Sequence, residues 1–254
     1  MCGSSLLQAL AITVSGSYAY VVRQAGLVVV NVMDKASPSI VGQVNDPSLI
    51  YSASGLAVRG QQIFVAADYS SELAVFDVSI PSSPTMISKV SIPDPGGFAS
   101  GPRAVAISGS YAYVTCGYSK LAVVDVSNVS ASSPPTVEGY LILSEGPKGV
   151  AVSNSYAYVT GTYSLFVVDV SVKASPSLAG YAMAPWNDPS LFQGACGVAV
   201  SGSFAFVAAE NSNKLIVVDV SNPAAPSVVG SLSDVTKMSQ VHSSACVTLG
   251  TPVV

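Results

Sequence analysis

The groups able to do chemistry in this chain are few: one histidine, four cysteines, and fourteen acidic residues against ten lysines and arginines. His242, within Val241-His242-Ser243-Ser244, is the one imidazole that could serve as a general base near neutrality. Composition leaves a Ser-His-Asp arrangement open, but no nucleophile-elbow motif accompanies it, and His242 reads as a solvated loop residue. Cys2, Cys116, Cys196 and Cys246 are too sparse for a disulfide scaffold, and they lack the clustering with histidine or carboxylate that a metal needs. Phosphate-cradling glycine motifs are absent. No catalytic group, metal or cofactor is therefore expected, and the question moves to which elements the acids and aromatics sit on.

Those elements follow from an internal repeat. Ser15-Gly16-Ser17-Tyr18-Ala19-Tyr20-Val21 returns at Ser108–Val114, and as variants at Ser153–Val159 and Ser201–Val207, with a looser copy at Arg59–Val65. After each comes a second motif: Leu27-Val28-Val29-Val30-Asn31-Val32, then copies beginning at Leu73, Leu121, Leu165 and Leu215, separated by 46, 48, 44 and 50 residues. Every unit holds four short β-rich runs divided by turn residues. Ser-Gly-Ser joins the first two as a tight hairpin, and Ser221-Asn222-Pro223-Ala224-Ala225-Pro226 joins the last two with prolines where no ladder donor is needed. Four antiparallel strands in about 47 residues is the size of a β-propeller blade, and the third run is apolar throughout because it lies between neighbouring blades.

The expected architecture is all-β: one propeller domain over 1–254, with units at 9–53, 54–102, 103–147, 148–195 and 196–245 and a partial unit at 246–254. A closed ring of five or six blades is expected, the C-terminal strands from Cys246 pairing with Leu6 to Val14 in the six-bladed case. An unclosed ring would expose an apolar edge that recruits another chain. The repeated Leu-Val-Val-Val-Asp-Val-Ser, preceded by Ser-Gly-Ser-Tyr-Ala-Tyr-Val and followed by Pro-x-x-Pro-x-x-Val-Gly, resembles the LVIVD repeat family of surface or secreted bacterial and archaeal propellers. That resemblance spans nearly the whole chain and implies adhesion, scaffolding or interaction more than catalysis. Asn31 replaces the aspartate in the first unit and the second has lost Ser-Tyr-Ala-Tyr, so distortion is expected there.

Within this frame Asp77, Asp125, Asp169 and Asp219 fall one residue before the end of each third strand. There a carboxylate accepts hydrogen bonds from the following loop and fixes the turn. Asp46, Asp94, Glu145, Asp188 and Asp234 fall in the connections from one blade to the next, which share one face around the axis. A ring of carboxylates there could gather a cation or a basic partner, although Asp-Pro and Asp-x-x also simply initiate turns. Tyr69, Tyr118 and Tyr163 occupy the second-to-third-strand loops of the same face, and the single tryptophan, Trp186 in Ala184-Pro185-Trp186-Asn187, is expected on that face as well. Acids and aromatics together suit a protein or glycan partner; core packing under a loop is the alternative for each. Asn128-Val129-Ser130 is a glycosylation sequon in a loop. Cys196 and Cys246 precede comparable first strands, which makes a disulfide between them one hypothesis.

Composition narrows the function classes. Half the residues are apolar and 9% are charged, against roughly 25% in an average domain. No run of 18 apolar residues occurs, so no transmembrane segment is expected despite a mean hydropathy of +0.53. A net charge of −4 with scattered basic residues argues against nucleic acid. So low a charge points to a hydroxyl-rich surface or to one covered by other protein subunits. The N-terminus lacks a basic leader, although Cys2-Gly3-Ser4-Ser5 resembles the start of a mature lipoprotein. The expectation is a non-enzymatic scaffold or interaction subunit of an extracellular, surface or lumenal assembly. The alternatives are a glycan- or small-ligand-binding module and, third, a hydrolase centred on the axial mouth.

Overall fold

A computed structural model describes residues 9–23, 26–45, 52–92, 101–117 and 119–233. The fold is all-β, with five four-stranded antiparallel sheets, each ordered first strand to fourth, and no helix among the described residues. Blade 1 comprises β1 (Ala9–Ser15), β2 (Tyr18–Arg23), β3 (Gly26–Asn31) and β4 (Ser39–Asn45). Blade 2 comprises β5 (Ala53–Arg59), β6 (Gln62–Ala67), β7 (Glu72–Asp77) and β8 (Thr85–Ser91). Blade 3 has β9 (Pro102–Ser108), β10 (Tyr111–Cys116), β11 (Lys120–Asp125) and β12 (Thr136–Ile142). Blade 4 has β13 (Val150–Ser153), β14 (Tyr156–Thr160), β15 (Ser164–Asp169) and β16 (Ser177–Met183), and blade 5 has β17 (Ala195–Ser201), β18 (Phe204–Ala209), β19 (Lys214–Asp219) and β20 (Ser227–Ser233).

Local sequence accounts for this geometry. The turn between first and second strands needs a left-handed residue, and glycine supplies it in four blades (Gly16, Gly60, Gly109, Gly202) while Asn154 takes the same φ of 54° in blade 4. The third strands are buried on both faces. In β11, Ala122 and Val124 pack with Phe64, Leu73 and Val75 of blade 2, whereas Leu121 and Val123 pack with Phe166 and Val168 of blade 4. Each such side chain contributes about 1.5–3 kcal/mol by leaving water. A register shift recurs at one place in every blade, between the third and fourth strands at Val29/Val30, Val75/Phe76, Val123/Val124, Val167/Val168 and Val217/Val218. Blades 1 and 2 pair in the same register as the others, so the distortion expected there is corrected.

The aspartate near the end of each third strand makes one repeated turn. Asp77, Asp125, Asp169 and Asp219 accept the backbone N–H two residues on at 2.7–2.8 Å, and Asn31 does the same for Met33 at 2.8 Å. That is why asparagine can stand in blade 1: the turn needs only a short side-chain oxygen. The valine between donates back to the hairpin turn, as Val126 does to Ser110 at 2.8 Å.

The first strands are innermost, and β1, β5, β9, β13 and β17 pack in succession. They approach closely at small residues. A Cβ on Gly55 would lie 2.7 Å from the Arg103 carbonyl oxygen, and one on Gly149 would overlap the carbonyl of Cys196. No packing of this extent joins the described residues of β17 to those of β1. The six-bladed closure through residues from Cys246 onward lies outside the described residues.

Two outcomes follow. Gly149→Val forces β13 and β17 apart and lowers stability by about 1–3 kcal/mol, read as a lower urea midpoint. The Asp169 carboxyl is held below its usual range by the backbone N–H and the hydroxyl of Ser171, and that of Asp219 by the hydroxyl and backbone N–H of Ser221. A pKa lowered on folding stabilises above the unfolded value of about 3.9, and the contribution is lost as pH falls through the folded value. Thermal melts of the Asp169→Asn/Asp219→Asn variant, which keeps the turn acceptor, should fall less steeply than wild type below pH 4.

Candidate functional site

The inner strands begin on the face that carries the blade-to-blade connections, and the repeat places one residue of each at the mouth of the axis. In register these are Leu10, Ser54, Arg103, Lys148 and Cys196, each followed by the small residue that the convergence of strands requires (Ala11, Gly55, Ala104, Gly149, Gly197). Buried hydroxyls tie the positions together. Ser54 Oγ donates to the carbonyls of Pro102 and Arg103 at 3.0 and 2.9 Å. Thr115 Oγ1, fully buried, accepts from Ala104 N–H at 3.1 Å and donates to the Lys148 carbonyl at 2.7 Å, and Thr160 Oγ1 accepts from Gly149 N–H at 2.8 Å. The backbone under Arg103 and Lys148 is therefore fixed before their side chains are considered.

Arg103 Nε stands 3.9 Å from Asp68 Oδ2, while Asp68 Oδ1 accepts Gly101 N–H at 2.7 Å. Both side chains are about one-third exposed (35% and 32%), so the pair holds a shape more than it adds stability, and both ends remain within reach of a solute. On the same side Lys214 pairs with Asp188, whose carboxyl is held below its usual range by Lys214 and then by Ser190. Lys89 pairs with Glu72 at 2.8 Å.

Of the acids expected at this face, Glu145 and Asp188 are described and both are engaged. Glu145 accepts Tyr163 N–H at 2.6 Å and the Ser164 hydroxyl at 3.1 Å, so its carboxylate fastens the second-to-third-strand turn of its own blade. This brings Glu145 and Tyr163 together, although the tyrosine contributes its backbone and leaves its side chain half exposed. Tyr69 is 69% exposed, and Trp186 is fully exposed. Asp46, Asp94, Asp234, Tyr118 and His242 lie outside the described residues. Asn128 sits in an exposed loop. Among the described residues no three acidic, histidine or cysteine side chains gather as a metal site. Cys116 is a buried thiol, whereas Cys196 is disulfide-bonded.

Arg103, Lys148 and Asp68 were missed by sequence reasoning that looked for acids and aromatics. The signal was present: Gly101-Pro102-Arg103 and Gly146-Pro147-Lys148 are matching tripeptides at the same point of adjacent repeats.

A concavity lies on the opposite face, between blades 2 and 3. It has a volume of about 650 Å³ and is lined by Arg59, Gln62, Asp77, Ile87 and Val129 among others. The Arg59 guanidinium donates to Gln62 Oε1 at 2.9 Å and to the Val126 carbonyl, and lies 5.2 Å over the Phe64 ring. Burial pushes its pKa down. With its donors directed at protein acceptors, this groove reads as a packing feature of the joint.

Several solved structures share the architecture. A protein from Lactobacillus plantarum superimposes with a TM-score of 0.75 at 18% identity, over 89% of this chain and 71% of its own. A periplasmic gluconolactonase from Pseudomonas aeruginosa gives 0.73 at 18% identity, over 89% and 72%. A 6-phosphogluconolactonase candidate from Bacteroides fragilis gives 0.74 at 13% identity, over 89% and 71%. At these identities the likeness is one of fold. It nevertheless corrects the expectation of a non-enzymatic scaffold or binding module: propellers of this shape include proteins named as lactonases, so the fold gives no ground for setting the chain apart from hydrolases. No helix among the described residues is long and apolar enough to cross a membrane. No curated protein matches the chain. The LVIVD repeat pattern matches five times, at residues 8–46, 52–91, 101–140, 147–183 and 194–234. The chain belongs to the LVIVD repeat family.

Proposed function

We propose that the chain is a hydrolase of small, negatively charged esters, of which a sugar-acid lactone is the type, with the axial mouth as its active site. The observation that carries this reading is the Arg103–Asp68 pair at the start of an inner strand, one-third exposed and next in register to Lys148. Arg103 and Lys148 supply positive charge for an anionic substituent and for the oxyanion that forms when the ester carbonyl is attacked. Asp68, held by Gly101 N–H, accepts a proton from the attacking water; the carbon–oxygen bond of the ester then breaks, the leaving alkoxide takes that proton back from Asp68, and the carboxylic acid formed releases its own proton to solvent. The lactonases among the structural relatives support the reaction class, and the periplasmic one, with the disulfide at Cys196, supports an extracellular or periplasmic location.

Proton release from glucono-1,5-lactone and its 6-phosphate, followed at constant pH, tests the reading. Catalysis above the spontaneous rate is expected, with Asp68→Asn lowering kcat/KM about 100-fold or more and Arg103→Ala raising KM for the phosphorylated substrate more than for the neutral one. Background rates with both lactones, or an Asp68→Asn variant as active as wild type, would overturn it. Separately, under denaturing conditions without reductant Cys116 should alkylate while Cys196 stays protected, which peptide mapping of the purified protein checks.

A further inference from the structure

Each joint between neighbouring blades has a recurring fitting on the side opposite the mouth. The loop after the third strand of one blade sets its backbone against a fourth-strand glycine of the blade before it. Gly42 lies under the Pro81 carbonyl, a Cβ on Gly139 would meet Lys173 and Ala174 at 2.6–2.7 Å, and one on Gly180 would lie 2.5 Å from the Pro223 oxygen. Only the joint between blades 2 and 3 departs from this, with Ser88 at the corresponding register. Gly230 pairs with Val217 as Gly180 pairs with Val167, yet nothing comes within 4 Å of the place its Cβ would take. The apolar face beside it is open in the same sense. Tyr111 and Tyr156 are partly buried and Leu121 and Leu165 are fully buried, whereas their counterparts in register, Phe204 and Leu215, are 41% and 37% exposed.

We infer that this face of blade 5, centred on Gly230, Phe204 and Leu215, is a docking surface for a further blade of the same repeat type. The occupant is specified by the joints already made: a post-Asp loop whose carbonyl rests on Gly230, and a sheet face of small and β-branched residues, as Ala112, Val114, Ala122 and Val124 are in blade 3, laid over the phenylalanines. The length of the structural relatives agrees. The part of the Lactobacillus plantarum protein that this chain leaves uncovered is the length of about two repeats. At the other end of the described blades the loop of blade 1 is unseated: Met33 is 72% exposed and Pro38 is exposed, where Pro84, Pro135 and Pro176 are buried. Two inserted blades would thus meet a partner on each side.

The test extends the full chain after Val254 with two repeats copied from residues 101–193. The extended protein is expected to be a monomer by light scattering, with slowed amide exchange in β18 and β19 and a Tm about 5 °C or more above that of the unextended chain. Gly230→Trp should remove the gain in the extended protein and leave the Tm of the unextended chain unchanged, which separates loss of docking from misfolding; Phe204→Glu serves as the second variant. Exchange in β18 and β19 unaltered by the extension, or a gain that survives Gly230→Trp, would overturn the inference. So would self-association of the unextended chain that Gly230→Trp abolishes, since the face would then belong to a second copy.

Discussion

Everything in this molecule depends on the convergence of five first strands on one axis. Backbones that approach until a Cβ at Gly55 or Gly149 would collide with the next strand leave no room for side chains there, so the position is glycine or alanine in every blade. The consequence runs outward along each sheet. The third strand, sandwiched between blades, carries the apolar load, and the fourth meets solvent, which is why β12 and β16 expose Tyr140 and Tyr181 without loss. It also runs toward the mouth: the position just before the small residue admits a large polar side chain, and Arg103 and Lys148 occupy it.

The mouth side carries charges of both signs, since Asp68, Glu72, Glu145 and Asp188 stand there beside the cations. Arg23, Arg103, Lys120, Lys148 and Lys214 all stand at strand ends on the mouth side. Asp77, Asp125, Asp169 and Asp219 are committed to turns on the other.

How much of this the residues disclosed depended on whether the physics was local. Strand number, hairpin turns and the aspartate turns are decided within a few residues, so a repeated Ser-Gly-Ser or Val-Asp-Val-Ser spelled them out. The roles of individual acids were not legible, because Glu145 is consumed by Tyr163 and Ser164, eighteen and nineteen residues away, and no short motif announces that pairing. The number of blades in the ring was not legible for a related reason: whether the last blade meets the first is set by small angles summed over the joints, and repeats so alike are compatible with several such sums. Asn31 taught the opposite lesson, since a departure from the consensus that looked like damage preserves the one oxygen the turn uses.

The joints have an energetic consequence beyond architecture. Each apolar cluster unites one blade only with its immediate neighbour, so the folding free energy is a sum of blade terms and nearest-neighbour couplings, as in a one-dimensional chain of spins. Blade 3 is coupled on both sides, whereas blade 5 is coupled on one described side and half exposed on the other. Cooperativity in such a system decays from the middle outward. Subglobal openings should therefore begin at blade 5 and travel inward one sheet at a time, leaving the strands under Arg103 and Lys148 among the last to lose their hydrogen bonds.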